Sequence, residues 1–284
     1  MAARSAADSC AEVVGDESAP GIVFVHGTRM AAAYWHLQST ALCDRFFVVA
    51  VDLPGHGRRR ATPFCHEEAL DTICRGISLC KGGAAIVVGH SLGGFLTMDV
   101  AAQTPEHCRG LVLVGCTADA RGVRTWPYRL VARVVPLISE ERLARWNDRL
   151  LRHAYPPEVI EPQIRAGYGF AAVPAAWRAV FGRDHAATLA RYPGPVLFLN
   201  GARDRLFRSG ERRFLRACPH ARLRVLPGAA HLSNLDRPAA FTEAVREFAE
   251  RTYGIGNPEG SGGRVGRADE VHTARPAGNF RSAE

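Results

Sequence analysis

The sequence has 284 residues, with 36 Lys plus Arg against 28 Asp plus Glu and a formal net charge of +8. Its 47% hydrophobic content supplies a sizeable core and excludes global disorder, and no apolar run approaches the roughly 18–20 residues that span a bilayer. The basic excess is 35 Arg and a single Lys, Lys81, without zinc-finger spacing, an aromatic RNA-binding signature or basic-region heptads, so nucleic acid is not the expected partner.

Residues 1–18 carry weak structural signals, with an edge strand around 11–14 the one element to expect there. Residues 1–17 lack the apolar core of a secretory signal, and a cytoplasmic protein is the default expectation. Eight cysteines, at 10, 43, 65, 74, 80, 108, 116 and 218, form no C-x-x-C pair and no zinc-ligand spacing. They read as buried, reduced thiols, which fits a reducing compartment.

From residue 21 onward, short apolar runs of strand length recur: 21–26 (GIVFVH), 46–51 (FFVVAV), 84–89 (AAIVVG), 111–115 (LVLVG), 195–200 (PVLFLN) and 222–226 (RLRVL). Most are continuously apolar, as parallel strands buried on both faces are. Helical segments lie between them. Residues 66–80 place Leu70, Ile73, Cys74 and Ile77 on one face, residues 95–103 stop before Pro105, and residues 238–252 carry Phe241, Ala244, Val245, Phe248 and Ala249. Strand–helix alternation predicts an α/β fold with right-handed crossovers.

The connection over residues 116–194 is far longer than one crossover helix needs, and it is too short to build a separate core well. It reads as an inserted helical lid, with Ser139 capping a helix that has Glu140 and Glu141 in its first turn and Leu143, Trp146, Leu150 and Leu151 at helical spacing. The expected organisation is a core over 19–115 and 195–253, the lid over 116–194, and a disordered, Gly-rich tail over 254–284.

The third of these runs ends in Gly89-His90-Ser91-Leu92-Gly93, with a helix following at once. This is G-x-S-x-G in its strand–turn–helix setting. A nucleophile on so tight a turn has a strained backbone, and the residues two before and two after it must be Gly because a Cβ would clash. The turn lifts Ser91 Oγ above the sheet at a helix N-terminus, where free N–H groups favour developing negative charge.

With this motif the chain resembles the α/β-hydrolase family, in its serine esterase branch with a helical lid. The likeness covers roughly residues 21–252 and rests on four further motifs in family order. His26-Gly27-Thr28-Arg29, with Trp35 eight residues after Gly27, resembles the oxyanion loop. Asp52-Leu53-Pro54-Gly55-His56-Gly57 matches the D-x-P-G-H-G turn. Asn200-Gly201-Ala202-Arg203-Asp204 follows the strand after the lid, and Gly228-Ala229-Ala230-His231 follows the last strand. The order Ser, Asp, His is the one this fold imposes.

The resemblance implies Ser91 as nucleophile, His231 as the base that takes its proton, and Asp204 as the acid that orients His231. It implies an oxyanion hole from the backbone N–H groups of Thr28 and Leu92, and no cofactor or metal. Asp119, just after the preceding strand, is the rival acid, because some relatives place it there. His26 and His90 read as structural hydrogen bonders and His56 as a loop-packing residue. Arg29 could meet an anionic group of the substrate, although a structural ion pair is the plainer reading. Trp126, Tyr168, Phe170, Trp177 and Phe181 are candidates for an apolar pocket.

A serine at the elbow argues against the dehalogenase and epoxide hydrolase relatives, which carry Asp there. Thr28 and Arg29 depart from the H-G-G-G loop of lipases. Leu232 to Leu235 lack the aromatic residue usual after the histidine of carbon–carbon bond hydrolases. The expected activity is hydrolysis of a carboxylic ester, lactone or thioester of a small molecule through an acyl-enzyme. The alternatives are a lyase, perhydrolase or C–C hydrolase with the same triad, or a non-enzymatic ligand-binding relative.

The charge is unevenly placed. Residues 116–194 hold 12 Arg against 7 acids, and residues 203–224 hold 8 Arg against 2. Both segments belong near the mouth of the site in the expected fold. There they would steer an anionic substrate, or one borne by an acidic acyl-carrier protein, toward Ser91.

Overall fold

The computed structural model describes residues 10–122 and 125–255. The expected strands form one seven-stranded sheet: β1 (Ala11–Val14), β2 (Gly21–Val25), β3 (Phe47–Val51), β4 (Ala85–His90), β5 (Cys108–Val114), β6 (Val196–Gly201) and β7 (Arg222–Leu226). Their order across the sheet is β1-β3-β2-β4-β5-β6-β7. β1 pairs antiparallel with β3, and all other pairs are parallel. The continuous apolar runs have their cause here, since every residue of β2, β3 and β4 is buried between helices on both faces.

The helices are α1 (His36–Leu42), α2 (His66–Ser78), α3 (Leu92–Gln103), α4 (Trp126–Val134), α5 (Glu140–Ala154), α6 (Pro157–Ala166), α7 (Val173–Val180), α8 (His185–Leu189), α9 (Glu211–Ala217), α10 (Ser233–Asp236) and α11 (Pro238–Tyr253). α2 buries Leu70, Ile73 and Ile77, and α11 buries Phe241, Ala244, Val245, Phe248 and Ala249. Each large apolar side chain so buried contributes about 1.5–3 kcal/mol relative to exposure. α11 ends at Gly254, whose φ of 67° is the left-handed stop that glycine adopts without strain. Among the described residues no helix is long and apolar enough to cross a membrane. The tail expected to be disordered, beyond residue 255, lies outside the described residues.

The chain crosses from β3 to β4 past β2, so β2 and β4 are neighbours and their outgoing loops leave in opposite directions. Open α/β sheets bind ligands at the carboxyl ends of strands at such a reversal. Helices α4–α8 all lie between β5 and β6. Ser139 is the N-cap of α5 with extended backbone, but its side chain makes no capping bond. Its carbonyl instead accepts the N–H groups of Arg142 and Leu143.

This insertion is fastened to the sheet-bearing part at several points along its length, with Trp177 bonding Thr28, Arg183 bonding Asp99 and Tyr192 bonding the Cys108 carbonyl towards its end, and four bonds in its middle. Tyr155 Oη donates to Asp236 Oδ1 at 2.8 Å, Ala31 N donates to Gln163 Oε1 at 3.0 Å, and Gly169 N donates to Arg29 O at 3.2 Å. His36 Nε2 also bonds the Glu158 carbonyl at 3.0 Å. Among the described residues no cysteine forms a disulfide; Cys80, Cys108, Cys116 and Cys218 are buried as expected, whereas Cys10, Cys43 and Cys74 are only partly buried. Cys65 is exposed, because it precedes α2 on a surface loop.

Candidate active site

The first strands deliver two loops to one place. Ser91 sits between β4 and α3 with φ 51° and ψ −115°. Two close approaches account for its glycines. A Cβ on Gly89 would stand 2.6 Å from Gly93 O, and one on Gly93 would stand 2.6 Å from His26 O. The loop after β2 comes close enough that a Cβ on Gly27 would lie 3.3 Å from Ser91 Cβ. Thr28, Ser91, Leu92 and His231 all line a cavity of about 360 Å³, at the small end of ligand sites.

Neither the Thr28 N–H nor the Leu92 N–H has an acceptor among the described residues. Leu92 is the first residue of α3, where no intrahelical partner exists. Two unpaired donors and a helix N-terminus therefore converge beside Ser91, a setting suited to an oxyanion.

His231 follows β7, and Asp204 follows β6. His231 Nδ1 lies 2.7 Å from Asp204 Oδ2, and Asp204 is only 6% exposed. The Phe207 ring stacks on His231 at 4.0 Å between centroids and 22° between planes. Asp119 has other partners. It pairs with Arg121 at 3.0 Å and with Arg213 at 3.1 Å, which holds its carboxyl below the usual range. Ser91 Oγ has no hydrogen-bond partner among the described residues, although it shares the cavity with His231. Bonds of this type commonly close only once substrate is in place.

The other histidines near Ser91 support the loops. His90 Nε2 bonds the His231 carbonyl at 3.0 Å, and burial with His231 nearby holds its pKa well below the ordinary value. His26 is buried, with Nε2 accepting from Leu53 N at 3.1 Å and Nδ1 donating to Gly27 O at 2.8 Å. Burial lowers its pKa to about 4. His56 is likewise buried and lowered to about 3, its Nδ1 bonding Pro54 O at 2.9 Å.

The expected pocket residues divide. Phe170, Trp177, Phe181 and Arg29 line the cavity. Trp177 Nε1 donates to Thr28 Oγ1 at 3.2 Å, so the insertion touches the loop after β2 directly. Trp126 does not line the cavity and is 64% exposed. The cause is helical phase. α4 turns Tyr128 and Val131 to the cavity at i, i+3 spacing, and Trp126, two residues earlier, falls on the opposite side. Tyr168 also stands outside it, buried with its hydroxyl donating to Asp148 Oδ1 at 2.6 Å. The ion pair expected for Arg29 is absent among the described residues. Its guanidinium stands 6.0 Å from the Phe170 ring centroid, and burial lowers its pKa.

Four residues to which the sequence assigned no role of their own matter to this geometry. Tyr128 on α4 contacts Trp177, Phe181 and Phe207 and continues the aromatic wall to His231. Phe207 gave no signal beyond lying three residues after Asp204. Asn200 bonds Gly115, Thr117 and Glu211, pinning the end of β6 to the loop after β5. Asp236 Oδ2 accepts Ala230 N at 2.6 Å, fixing the loop that carries His231. Among the described residues no cluster of three His, Cys, Asp or Glu side chains is arranged to hold a metal ion.

Comparison with known proteins agrees with this architecture. Residues 22–244 match the model of the alpha/beta hydrolase family. A pimeloyl-acyl-carrier-protein methyl ester esterase of Nitrosomonas europaea is 29% identical over 237 residues, covering 78% of this chain and 92% of that protein. A 3-oxoadipate enol-lactonase of Acinetobacter baylyi is 24% identical over 252 residues, covering 84% and 91%. The crystal structure of an E-2-(acetamidomethylene)succinate hydrolase shares the fold with a TM-score of 0.70 and 24% identity, covering 84% of this chain and 93% of that one. The chain belongs to the alpha/beta hydrolase family, and it is an enzyme of hydrolase type.

Proposed function

We propose that the protein is a serine hydrolase that cleaves a carboxylic ester, lactone or thioester of a small molecule through an acyl-enzyme on Ser91. The observation that carries this reading is Ser91 at a positive-φ elbow, in one cavity with a His231 whose Nδ1 lies 2.7 Å from a buried Asp204. The ester, rather than amide or halide, emphasis draws on the relatives, which include a methyl ester esterase and an enol-lactonase.

In this reading His231 Nε2 takes the Ser91 proton as Oγ attacks the carbonyl carbon. The carbonyl oxygen becomes an oxyanion and accepts hydrogen bonds from the Thr28 and Leu92 N–H groups. One such donor is worth about 10²–10³ in rate. Asp204 holds the imidazole with Nδ1–H toward its carboxylate, which leaves Nε2 free to accept and stabilises the imidazolium. His231 then gives the proton to the leaving oxygen or sulfur. Water repeats the sequence on the acyl-enzyme and releases the acid.

The helices α4–α8 act as the lid of this site, supplying Tyr128, Trp177 and Phe181 to its apolar wall. A cavity of about 360 Å³ suits a small acyl group. The test is a fluorophosphonate probe together with p-nitrophenyl ester turnover. Wild type should be labelled and active, and folded Ser91→Ala should be neither. Turnover that survives in Ser91→Ala would overturn the proposal.

A further inference from the structure

Two non-glycine residues stand at positive φ among the described residues, Ser91 at 51° and Arg29 at 72°. Both line the same cavity. Holding a bulky side chain in the left-handed region costs about 1–2 kcal/mol. The elbow explains Ser91, and the turn closed by Met30 N–H on Gly27 O at 3.2 Å gives Arg29 its positive φ, but that turn does not account for an arginine there.

Nor does any ion pair. Arg58, Arg59, Arg121, Arg152, Arg183, Arg208 and Arg213 each have a carboxylate within 4 Å. Arg29, partly buried, has none among the described residues. The acid nearest in kind, Asp119, lines the cavity too but is held by Arg121 and Arg213. Tyr168 directs its hydroxyl to Asp148. What Arg29 does meet is the face of Phe170, at 6.0 Å, an arrangement that fits a cation–π contact and leaves the guanidinium donors unclaimed. Leu92, Phe95, Val173, Trp177 and Phe181 make most of the remaining wall apolar.

A desolvated cation in such a wall is stabilised when an anion arrives with matching geometry. The planar guanidinium fork fits a carboxylate in two parallel hydrogen bonds. One positive charge balances one carboxylate, whereas a phosphate dianion would bring an uncompensated charge into an apolar cavity. The position is also specific. Arg29 follows directly on Thr28, whose N–H faces the reacting carbonyl in the reading above.

We propose that Arg29 binds a free carboxylate carried by the substrate itself, so that the preferred substrates are half-esters or carboxylated lactones. This rests on the serine hydrolase reading and adds the substrate class to it. The arginine-rich segments around the site add long-range attraction for the same anions.

Binding and turnover test it separately. Ser91→Ala protein is titrated with monomethyl glutarate and with uncharged dimethyl glutarate. The half-ester should bind at least about tenfold tighter, as a hydrogen-bonded charge pair implies. Arg29→Met in that background should abolish the preference, and Arg29→Lys should restore part of it. Arg29→Gly relieves the φ strain, so it keeps the test valid if the Met variant folds poorly. In the Ser91 enzyme, the kcat/KM ratio for mono-p-nitrophenyl glutarate over p-nitrophenyl butyrate should exceed about ten and fall toward one in Arg29→Met. Equal affinity for the two glutarates, or a preference that survives removal of Arg29, would overturn the proposal. Intact half-ester preference in a protein that neither hydrolyses esters nor takes the fluorophosphonate label would keep the carboxylate site and sink the hydrolase reading.

Discussion

Replacing Asp204 by Asn tests which acid serves His231. The carboxylate oxygen at 2.7 Å from Nδ1 would be exchanged for an amide that can present N–H there instead. The imidazole would then favour the tautomer with its proton on Nε2, which cannot accept a proton from Ser91. Two unit charges 2.7 Å apart interact by about 6 kcal/mol at an effective dielectric near 20, and this attraction exists only once His231 is protonated in the transition state. Loss of most of it corresponds to about 10³–10⁴ in kcat. Asp119→Asn is the matched control. That carboxylate is 35% exposed and spends its charge on Arg121 and Arg213, so its loss should lower kcat by less than about threefold and stability by at most about 1 kcal/mol. The assay is kcat for p-nitrophenyl acetate, with thermal unfolding to confirm that both variants fold. A mild Asp204→Asn beside a crippled Asp119→Asn would refute the assignment.

Other consequences can be measured directly. Phe207→Ala removes the ring stacked on His231 and should cost about 0.5–1.5 kcal/mol, or roughly twofold to thirteenfold in kcat/KM for a neutral ester. Gly93→Ala puts a Cβ 2.6 Å from the His26 carbonyl, where only backbone could give way. Its urea midpoint should fall by the equivalent of about 1–3 kcal/mol or more. Acid should weaken the fold through its buried histidines. His26 and His56 stay neutral down to about pH 4 and 3, while their unfolded counterparts take up protons below about 6.5. Their contribution is therefore intact above pH 6.5 and is lost progressively as pH falls toward 4. A urea midpoint as high at pH 5 as at pH 7 would contradict this.

The strands were legible because burial on both faces leaves an unbroken apolar run, a pattern that owes nothing to distant residues. Even β7, whose Arg222 and Leu223 are exposed at the sheet edge, kept enough Leu and Val to be read. The seven-residue helices α1 and α9 escaped because two turns give too few apolar repeats to establish a period. The elbow was legible for a local reason, since Gly89 and Gly93 answer contacts within the same turn and its neighbouring loop.

Cavity lining was much less legible. α4 carries apolar side chains on both sides, with Tyr128 and Val131 lining the cavity, although Val131 is itself 45% exposed, and Trp126, Leu130 and Val134 outside it at 64%, 44% and 42% exposure. Composition cannot say which stripe meets the sheet, because tertiary packing sets the rotation of the helix. Asp236 was silent for a similar reason, as its two partners, Ala230 and Tyr155, lie 6 and 81 positions away. Arg29 inverts the usual expectation. Its charge suggested an ion pair, and the structure leaves it facing the cavity.

The ties between the insertion and the rest of the protein are distributed unequally. Tyr155, the Glu158 carbonyl, Gln163 and Gly169 each bond across, within a stretch of 15 residues. Among the described residues, α4 and the start of α5 meet the rest of the protein through side-chain packing, and Arg129 reaches only its own Thr125. The insertion is thus hemmed along one border and loose along the other. Separating the border at α4 exposes apolar surface and, among the described residues, breaks no hydrogen bond to the sheet, whereas the rest is held by those four bonds and, further along, by Trp177 to Thr28, Arg183 to Asp99 and Tyr192 to Cys108. On the border bearing Tyr128, aromatic rings rather than backbone bonds form the seal of the cavity.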